Sequence, residues 1–252
     1  MELGLMDIVL LIVAGLFAGF INTLAGGGSA ITLSVLLFLG LPASVANGTN
    51  RIALLMQNIV AVGSFKQQKQ LESRKAILLA IPAFAGAILG SMIAVDVNEV
   101  IIRRAIAIVL IVMLIMLFYK PQQWLSGNAA LRSQKLKWWL YPLFFFMGIY
   151  AGFLHLGIGY GLLASIVLGA GYDLVKANAI KLLIILIWTP VTIYVFYVHD
   201  QIAIWYGVIL GTGNFIGAFF ATRMAVSQGT GFVRWVIVAV IFATCLHLFG
   251  FF

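Results

Sequence analysis

GLFAGFINTLAGGGSA, Gly15 to Ala30, is the stretch on which the fold turns. An apolar, helix-like run meets three consecutive glycines, Gly26, Gly27 and Gly28, and restarts at Ser29. The pattern returns as GIYAGFLHLGIGYGLL, Gly148 to Leu163. Gly15, Ala18, Gly19, Phe20, Gly26 and Gly28 fall on Gly148, Ala151, Gly152, Phe153, Gly159 and Gly161. After a short slip, GLPASVANGTN, Gly40 to Asn50, matches GYDLVKANAIK, Gly171 to Lys181, including the shared Ala-Asn. Later, Gly86 and Gly90 correspond to Gly213 and Gly217. The two halves read as one unit used twice.

Composition sets the class of that unit. The chain is 63% hydrophobic and 9% charged, whereas soluble domains carry roughly 25% charged residues. Its 252 residues can supply about ten spans of around 20 residues each. Ten apolar segments can be marked, near 5–25, 29–40, 44–65, 75–95, 101–119, 138–157, 161–171, 176–198, 202–222 and 232–251. The second and seventh are too short to cross a core of about 30 Å as straight helices. The expected organisation is a first transmembrane repeat over 1–120, a basic cytoplasmic connector over 121–137 and a second repeat over 138–252. The lone Cys245 excludes an intrachain disulfide. Glu2 and Asp7 occupy the place where a secretory signal would be basic, so the N-terminal run reads as a retained span.

The net charge of +8 would indicate nucleic acid for a soluble chain; here it fits Lys- and Arg-rich cytoplasmic loops. Lys66, Lys69, Arg74 and Lys75 follow segment three; Lys120, Arg132, Lys135 and Lys137 follow segment five; Arg223 follows segment nine and Arg234 opens segment ten. Asp96, Glu99, His199 and Asp200 occupy alternate connections. Ten crossings put the basic loops on one side and the N-terminus outside, with Arg103 and Arg104 as the exception. Five segments per unit then invert the second copy. Inverted repeats with interrupted helices near the midplane are a secondary-transporter architecture, and segments two and seven are the interrupted pair.

Against this background the stretch VANGTNRIALL, Val45 to Leu55, and the lysine in KANAIKLLIIL, Lys176 to Leu186, are costly. A cation deep in a bilayer costs at least about 2.5–3.5 kcal/mol. Arg51 and Lys181 each lie a turn or two inside a helix, with no acid in the nearby segments and Asp173 only in a connecting loop. Snorkelling to the interface is the bland reading; the matched placement in both copies favours an anionic substrate as partner. The starts of the half-helices, at Gly26, Gly27, Gly28 and Ser29 and at Gly159 and Gly161, can offer backbone N–H donors to the same anion. Asn22, Asn47, Gly48, Thr49, Asn50, His155 and Asn178 complete the candidate substrate-binding set, with His155 at the position of Asn22 and able to titrate near neutrality.

Gly86-x-x-x-Gly90 and Gly213-x-x-x-Gly217 read as close helix packing, and Gly26 to Gly28 fit packing and ligand contact equally. His199 reads as a loop residue, His247 as structural, and Pro82 and Pro190 as helix kinks. Trp138, Trp139, Tyr141, Trp188 and Trp205 read as interfacial belts. Enzymatic chemistry finds no support: there is no H-E-x-x-H, Cys/His cluster or P-loop, and the GGGS serine has no histidine placed to activate it. No catalytic residue, metal or cofactor is expected. The expected partners are a small anion, membrane lipid and, for coupled transport, H+ or Na+; nucleic acid is not among them. The rival readings are an anion channel of the same fold and, less favoured, a membrane enzyme or assembly factor.

AGFINTLAGGGSAITL, LGLPASVANGTNRIALLMQN and AGFLHLGIGYGLL with ANAIKLLI resemble the TauE/SafE family of sulfite or organosulfonate exporters and related anion permeases. The resemblance spans nearly the whole chain, including its duplication. It implies a permease of the bacterial inner membrane for a sulfur oxyanion, a sulfonate or a small carboxylate. The family's first-copy motif falls on Gly26, Gly27, Gly28, Ala46, Gly48 and Thr49. The second copy departs from it, with Tyr160 inside the Gly-x-Gly and Ala179-Ile180 replacing Gly-Thr, which implies unequal roles for the halves.

Overall fold

The computed structural model describes residues 3–102, 104–106 and 136–248, the last dozen of these and residue 234 by backbone alone. Its helices are α1 (Leu5–Leu24), α2 (Ser29–Phe38), α3 (Ala43–Gln67), α4 (Ser73–Asp96), α5 (Leu140–Phe153), α6 (Ile158–Ala164), α7 (Leu174–Val198) and α8 (Ile204–Leu248). A π-helical turn, Ser165–Gly169, extends α6, and α8 breaks at Gly229, with φ 73° and ψ −167°. No strand occurs among the described residues. Most of segment five, the basic connector and the side chains of Arg103, Arg234, Cys245 and His247 lie outside the described residues.

Among the described residues, four stretches are long and apolar enough to cross a membrane: Leu5–Leu24, Ser73–Asp96, Leu174–Val198 and Ile204–Val233. Their outer faces expose Met6, Phe17, Ile81, Met92, Tyr194 and Phe220, as helices solvated by lipid do. At 25 residues, α3 has the length but not the apolarity, because Asn47, Thr49, Asn50, Arg51, Gln57 and Asn58 occupy it. All six are buried, so its polar face is turned into the protein.

Glycine sets the closest helix pairs. A Cβ at Gly15 or Gly19 in α1 would strike the backbone of Leu210 or Asn214 in α8, and one at Gly213 or Gly217 would strike the carbonyls of Ile12 or Leu16. Gly86 and Gly90 in α4 meet Phe145 and Ile149 in α5 in the same way, answered by Gly148 and Gly152 against Ala83 and Ala87. Without a hydrophobic drive between lipid-solvated helices, such backbone approach supplies the packing.

The contacts also give direction, since both partners ascend together in each pair. α3 runs parallel to α8, through Thr49 with Ala203, Gln57 with Asn214 and Ser64 with Thr222. α4 runs parallel to α7, with Glu72 bonded to Tyr172 at one end and Val95 to Gln201 at the other. α3 and α7 oppose each other, Gly48 near the start of one lying against Phe196 and Gln201 at the end of the other. Thus α1, α3 and α8 run one way and α4, α5 and α7 the other. Because α1 and α3 share a direction, the residues between them, including α2, carry the chain back; α6 does so between α5 and α7.

Both returning stretches are short helices bracketed by left-handed glycines. α2 has 10 residues, about 15 Å at 1.5 Å per residue. Gly26 (φ 100°) and Gly157 (φ 71°) open α2 and α6, and Gly40 and Gly171 close them at φ 84° and 77°. A side chain at either opening residue would be strained. Pro82 and Pro190 lie inside α4 and α7, which continue past them. The N-terminus of α3 has no cap of its own, since Pro42 stands there. Glu99 fills the role from outside, its carboxylate accepting the Ala43 and Ser44 N–H groups and the Ser44 hydroxyl. Asp173 caps α7 directly, accepting from Val175 and Lys176 at 3.1 and 3.0 Å.

Candidate functional site

Two buried cations sit on two broken helix ends. Arg51 in α3 is 1% exposed and Lys181 in α7 is 0% exposed, so neither snorkels out of the protein. The Arg51 guanidinium donates to the carbonyls of Ala151 and Gly152, both at 2.7 Å, in the last turn of α5. One turn earlier on α3, the Asn47 amide donates to Phe153 O at 2.8 Å. The Lys181 ammonium donates to Asn22 O and Thr23 O at 3.1 and 3.2 Å, in the last turn of α1. The Asn178 amide donates to Leu24 O at 2.9 Å, and its carboxamide oxygen accepts from Lys181 at 2.7 Å. The wiring is the same at both places: a cation takes the two carbonyls before the last, and an asparagine takes the last.

This arrangement is local chemistry before it is function. Helix C-termini leave carbonyls without partners and carry about half a negative charge. Where α1 and α5 stop inside the protein, Arg51 and Lys181 supply the missing donors. The sequence left the counter-charge of both cations to an anion; the backbone provides part of it. Two full positive charges against two half charges leave roughly one positive charge over. Among the described residues, the carboxylates of Asp7, Glu72, Asp96, Glu99, Asp173 and Asp200 all lie at helix ends or in connections.

Several buried donors have no partner among the described residues: Asn50 Nδ2, Arg51 Nε, Trp188 Nε1 and the Ser29 hydroxyl, together with His155 Nδ1. Some of them are joined by the chain's own contacts. Thr32 in α2 donates to Asn50 Oδ1 at 2.7 Å, fixing that amide with its nitrogen unengaged and holding the start of α2, where Ser29 lies, against α3. His155 follows the end of α5 and is buried. Its ring meets Trp188 edge-on, centroids 6.1 Å apart. Phe196 lies 5.1 Å from the guanidinium carbon of Arg51.

The other predicted residues divide. Gly26 and Gly159 touch backbone to backbone, a Cβ on Gly26 falling 2.5 Å from the Cα of Gly159. A Cβ on Gly27 would strike Tyr160, and one on Gly28 the Ala18 carbonyl, so packing accounts for all three glycines. The first turn of α2 engages the N–H groups of Ala30, Ile31 and Thr32. Gly161 is nearly free of constraint, with only the Met147 methyl at 3.4 Å. Gly48 packs on the Gln201 carbonyl and Thr49 accepts the Ala203 N–H at 2.8 Å, so both fasten α3 to the α7–α8 connection. The Asn22 amide points elsewhere, to Gln57 Oε1 at 3.4 Å beside Asn214 at 3.3 Å.

One expectation is corrected: Trp188 is no interfacial residue, being 0% exposed against His155. Trp138, Trp139, Tyr141 and Trp205 are exposed, as a belt requires. Trp188, Thr32 and Phe196 were not anticipated at the site. The spacing Asn178, Lys181, Ile185, Trp188 places the tryptophan on the cation's face of α7, a signal present in the sequence.

The sulfite exporter TauE/SafE family model matches residues 11–248. A probable membrane transporter protein of Haemophilus influenzae is 25% identical over 244 residues, covering 96% of this chain and 94% of its own. Probable membrane transporter protein ORF9 of Sinorhizobium sp is 27% identical over 243 residues, covering 94% and 90%. Probable membrane transporter protein YfcA of Escherichia coli K12 is 25% identical over 231 residues, covering 89% and 83%. No solved structure matches the chain. With its apolar crossing helices and a family match running nearly end to end, the chain belongs to the sulfite exporter TauE/SafE family of membrane transporters.

Proposed function

We propose that the protein is a secondary transporter of a small anion, a sulfur oxyanion, sulfonate or small carboxylate, working by alternating access between two inverted five-segment repeats. The observation that carries the reading is a set of buried donors without a partner among the described residues, Asn50 Nδ2, Arg51 Nε, Trp188 Nε1 and the Ser29 hydroxyl, in a protein that also buries two cations. Each unsatisfied buried donor costs about 1–3 kcal/mol. An anion brings several acceptor oxygens and one negative charge, which answers both deficits together. Arg51 and Lys181 supply charge; Asn47 and Asn178 hold the helix ends; Ser29, Asn50, His155 and Trp188 set geometry.

Helix directions support the inverted repeat, since each helix of the first unit opposes its counterpart in the second: α1 opposes α5, α3 opposes α7 and α4 opposes α8. Each repeat's cation grips the other repeat's broken helix. A rocking motion therefore has a natural joint at the Gly26–Gly159 crossing, with the carbonyl bonds of Arg51 and Lys181 exchanged as the anion moves through. Membrane location with an outside N-terminus follows from the basic loops. Moving one negative charge outward across an inside-negative membrane releases about 2.3 kcal/mol per 100 mV. Export then needs no coupling ion, while uptake requires H+ or Na+.

The test is flux in proteoliposomes with sulfite, thiosulfate, taurine, sulfoacetate, acetate and pyruvate. The reading expects saturable, counterflow-competent flux of at least one of these. Unsaturable flux would replace it with a channel, and substrate turnover in detergent without flux would replace it with an enzyme.

A further inference from the structure

We propose that a groove between α3 and α8, at the basic end of the bundle, is a binding site for one anionic phospholipid. Toward the start of these helices the two are in contact: a Cβ at Gly207 would lie 2.9 Å from Ile52. Further along they stay joined through Ser64 and Thr222, and a gap lies beside that bond. Among the described residues, the space that a side chain at Gly63 would enter is empty to 4 Å, and a cavity of about 440 Å³ opens there. That volume falls within the roughly 300–1,000 Å³ range of small-molecule sites.

Its lining changes along the membrane normal as a phospholipid does. Val60, Gly63 and the Phe219 ring form the inner part, while Gln67, Gln68 and Arg223 form the mouth. The mouth is pre-built rather than loose. The Arg223 guanidinium lies 4.2 Å from the centre of the Phe219 ring. Gln68 donates to the Ser64 hydroxyl at 2.9 Å, and Thr222 donates to the same hydroxyl at 2.7 Å, bridging the two helices beneath it. Among the described residues no carboxylate lines the groove, and Lys66 and Lys69 stand exposed on the adjacent turn. Basic pockets between crossing helices on the cytoplasmic side attract anionic headgroups, at about 1 kcal/mol for each Lys or Arg. The headgroup phosphate is therefore assigned to Arg223 with the Gln67 and Gln68 amides, and an acyl chain to Val60, Gly63 and Phe219. This site lies away from Arg51 and Lys181 and does not depend on what they bind.

Native mass spectrometry of the delipidated full chain tests it, with phosphatidylglycerol, phosphatidylcholine of the same acyl chains, and glycerol phosphate as probes. One phosphatidylglycerol is expected to remain bound at activation energies that strip phosphatidylcholine. Arg223→Gln should lower its retention about five-fold, the worth of one basic group near an anionic headgroup. Gly63→Leu, which fills empty space and so leaves folding intact, should lower it by a similar factor through the acyl chain. Equal retention of the two lipids, wild-type retention in both variants, or binding of glycerol phosphate alone to the same extent would overturn the proposal.

Discussion

Replacing Lys181 by methionine separates the two things that this side chain does. In the folded protein its ammonium donates to Asn22 O, Thr23 O and Asn178 Oδ1 at 3.1, 3.2 and 2.7 Å. Hydrogen bonds inside membrane proteins average about 0.6 kcal/mol by double-mutant cycles, so losing three costs about 2 kcal/mol. Removing a buried cation returns about 2.5–3.5 kcal/mol of insertion cost. The two nearly cancel, and Lys181→Met should fold and purify with a melting temperature close to wild type. Binding has no such compensation. A monoanion about 6 Å from the ammonium at an effective dielectric of 20 loses about 2.8 kcal/mol, roughly 100-fold in affinity. An anion present at 100 times its wild-type Kd stabilises the wild type by about 2.7 kcal/mol and the variant by only about 0.4. For a chain of this size those figures correspond to shifts of about 5–10 °C and about 1 °C. Thermal unfolding in detergent across an anion titration measures both. An anion shift in Lys181→Met equal to that of the wild type would refute the assignment of this cation to the ligand.

Other expected outcomes follow from single contacts. Gly26→Ala should lower stability by at least about 2 kcal/mol, from the left-handed backbone and the collision with Gly159, whereas Gly161→Ala should be near neutral; paired melting curves decide this. Trp188→Phe keeps the ring against His155 and removes an orphaned donor, so it should weaken anion binding about five- to tenfold while melting temperature holds or rises, consistent with about 1 kcal/mol per hydrogen bond. A melting loss with unchanged anion affinity would make the tryptophan purely structural. Glu99→Gln removes a charge from the N-terminus of α3 and should cost about 1 kcal/mol, measured as a lower melting temperature that the anion still raises normally.

The segments were legible because apolar runs and their glycine breaks are written in residue types. Glycine spacing likewise announced the α1–α8 and α4–α5 crossings, since Gly86-x-x-x-Gly90 and Gly213-x-x-x-Gly217 admit few other readings. The glycine runs at the breaks were harder. The sequence paired Gly26 with Gly159 as equivalents; in the fold they touch, and the left-handed residue matching Gly26 is Gly157. Arg51 and Lys181 were visible as misplaced charges, yet their carbonyl partners were not. A helix C-terminus has no residue letter, and its acceptors come from a segment roughly 100 or more residues away in the chain. Trp188 was misread because residue type was weighed ahead of position: its spacing from Asn178 and Lys181 puts it on the cation's face of α7.

The most direct test is a determined structure of the protein with the anion that stabilises it most, compared with one prepared without it. The account predicts density for that anion within hydrogen-bonding distance of Arg51 and the Trp188 indole nitrogen, between the ends of α1 and α5. Anion density confined to the protein surface, with Arg51 and Lys181 still bonded only to carbonyls, would contradict it.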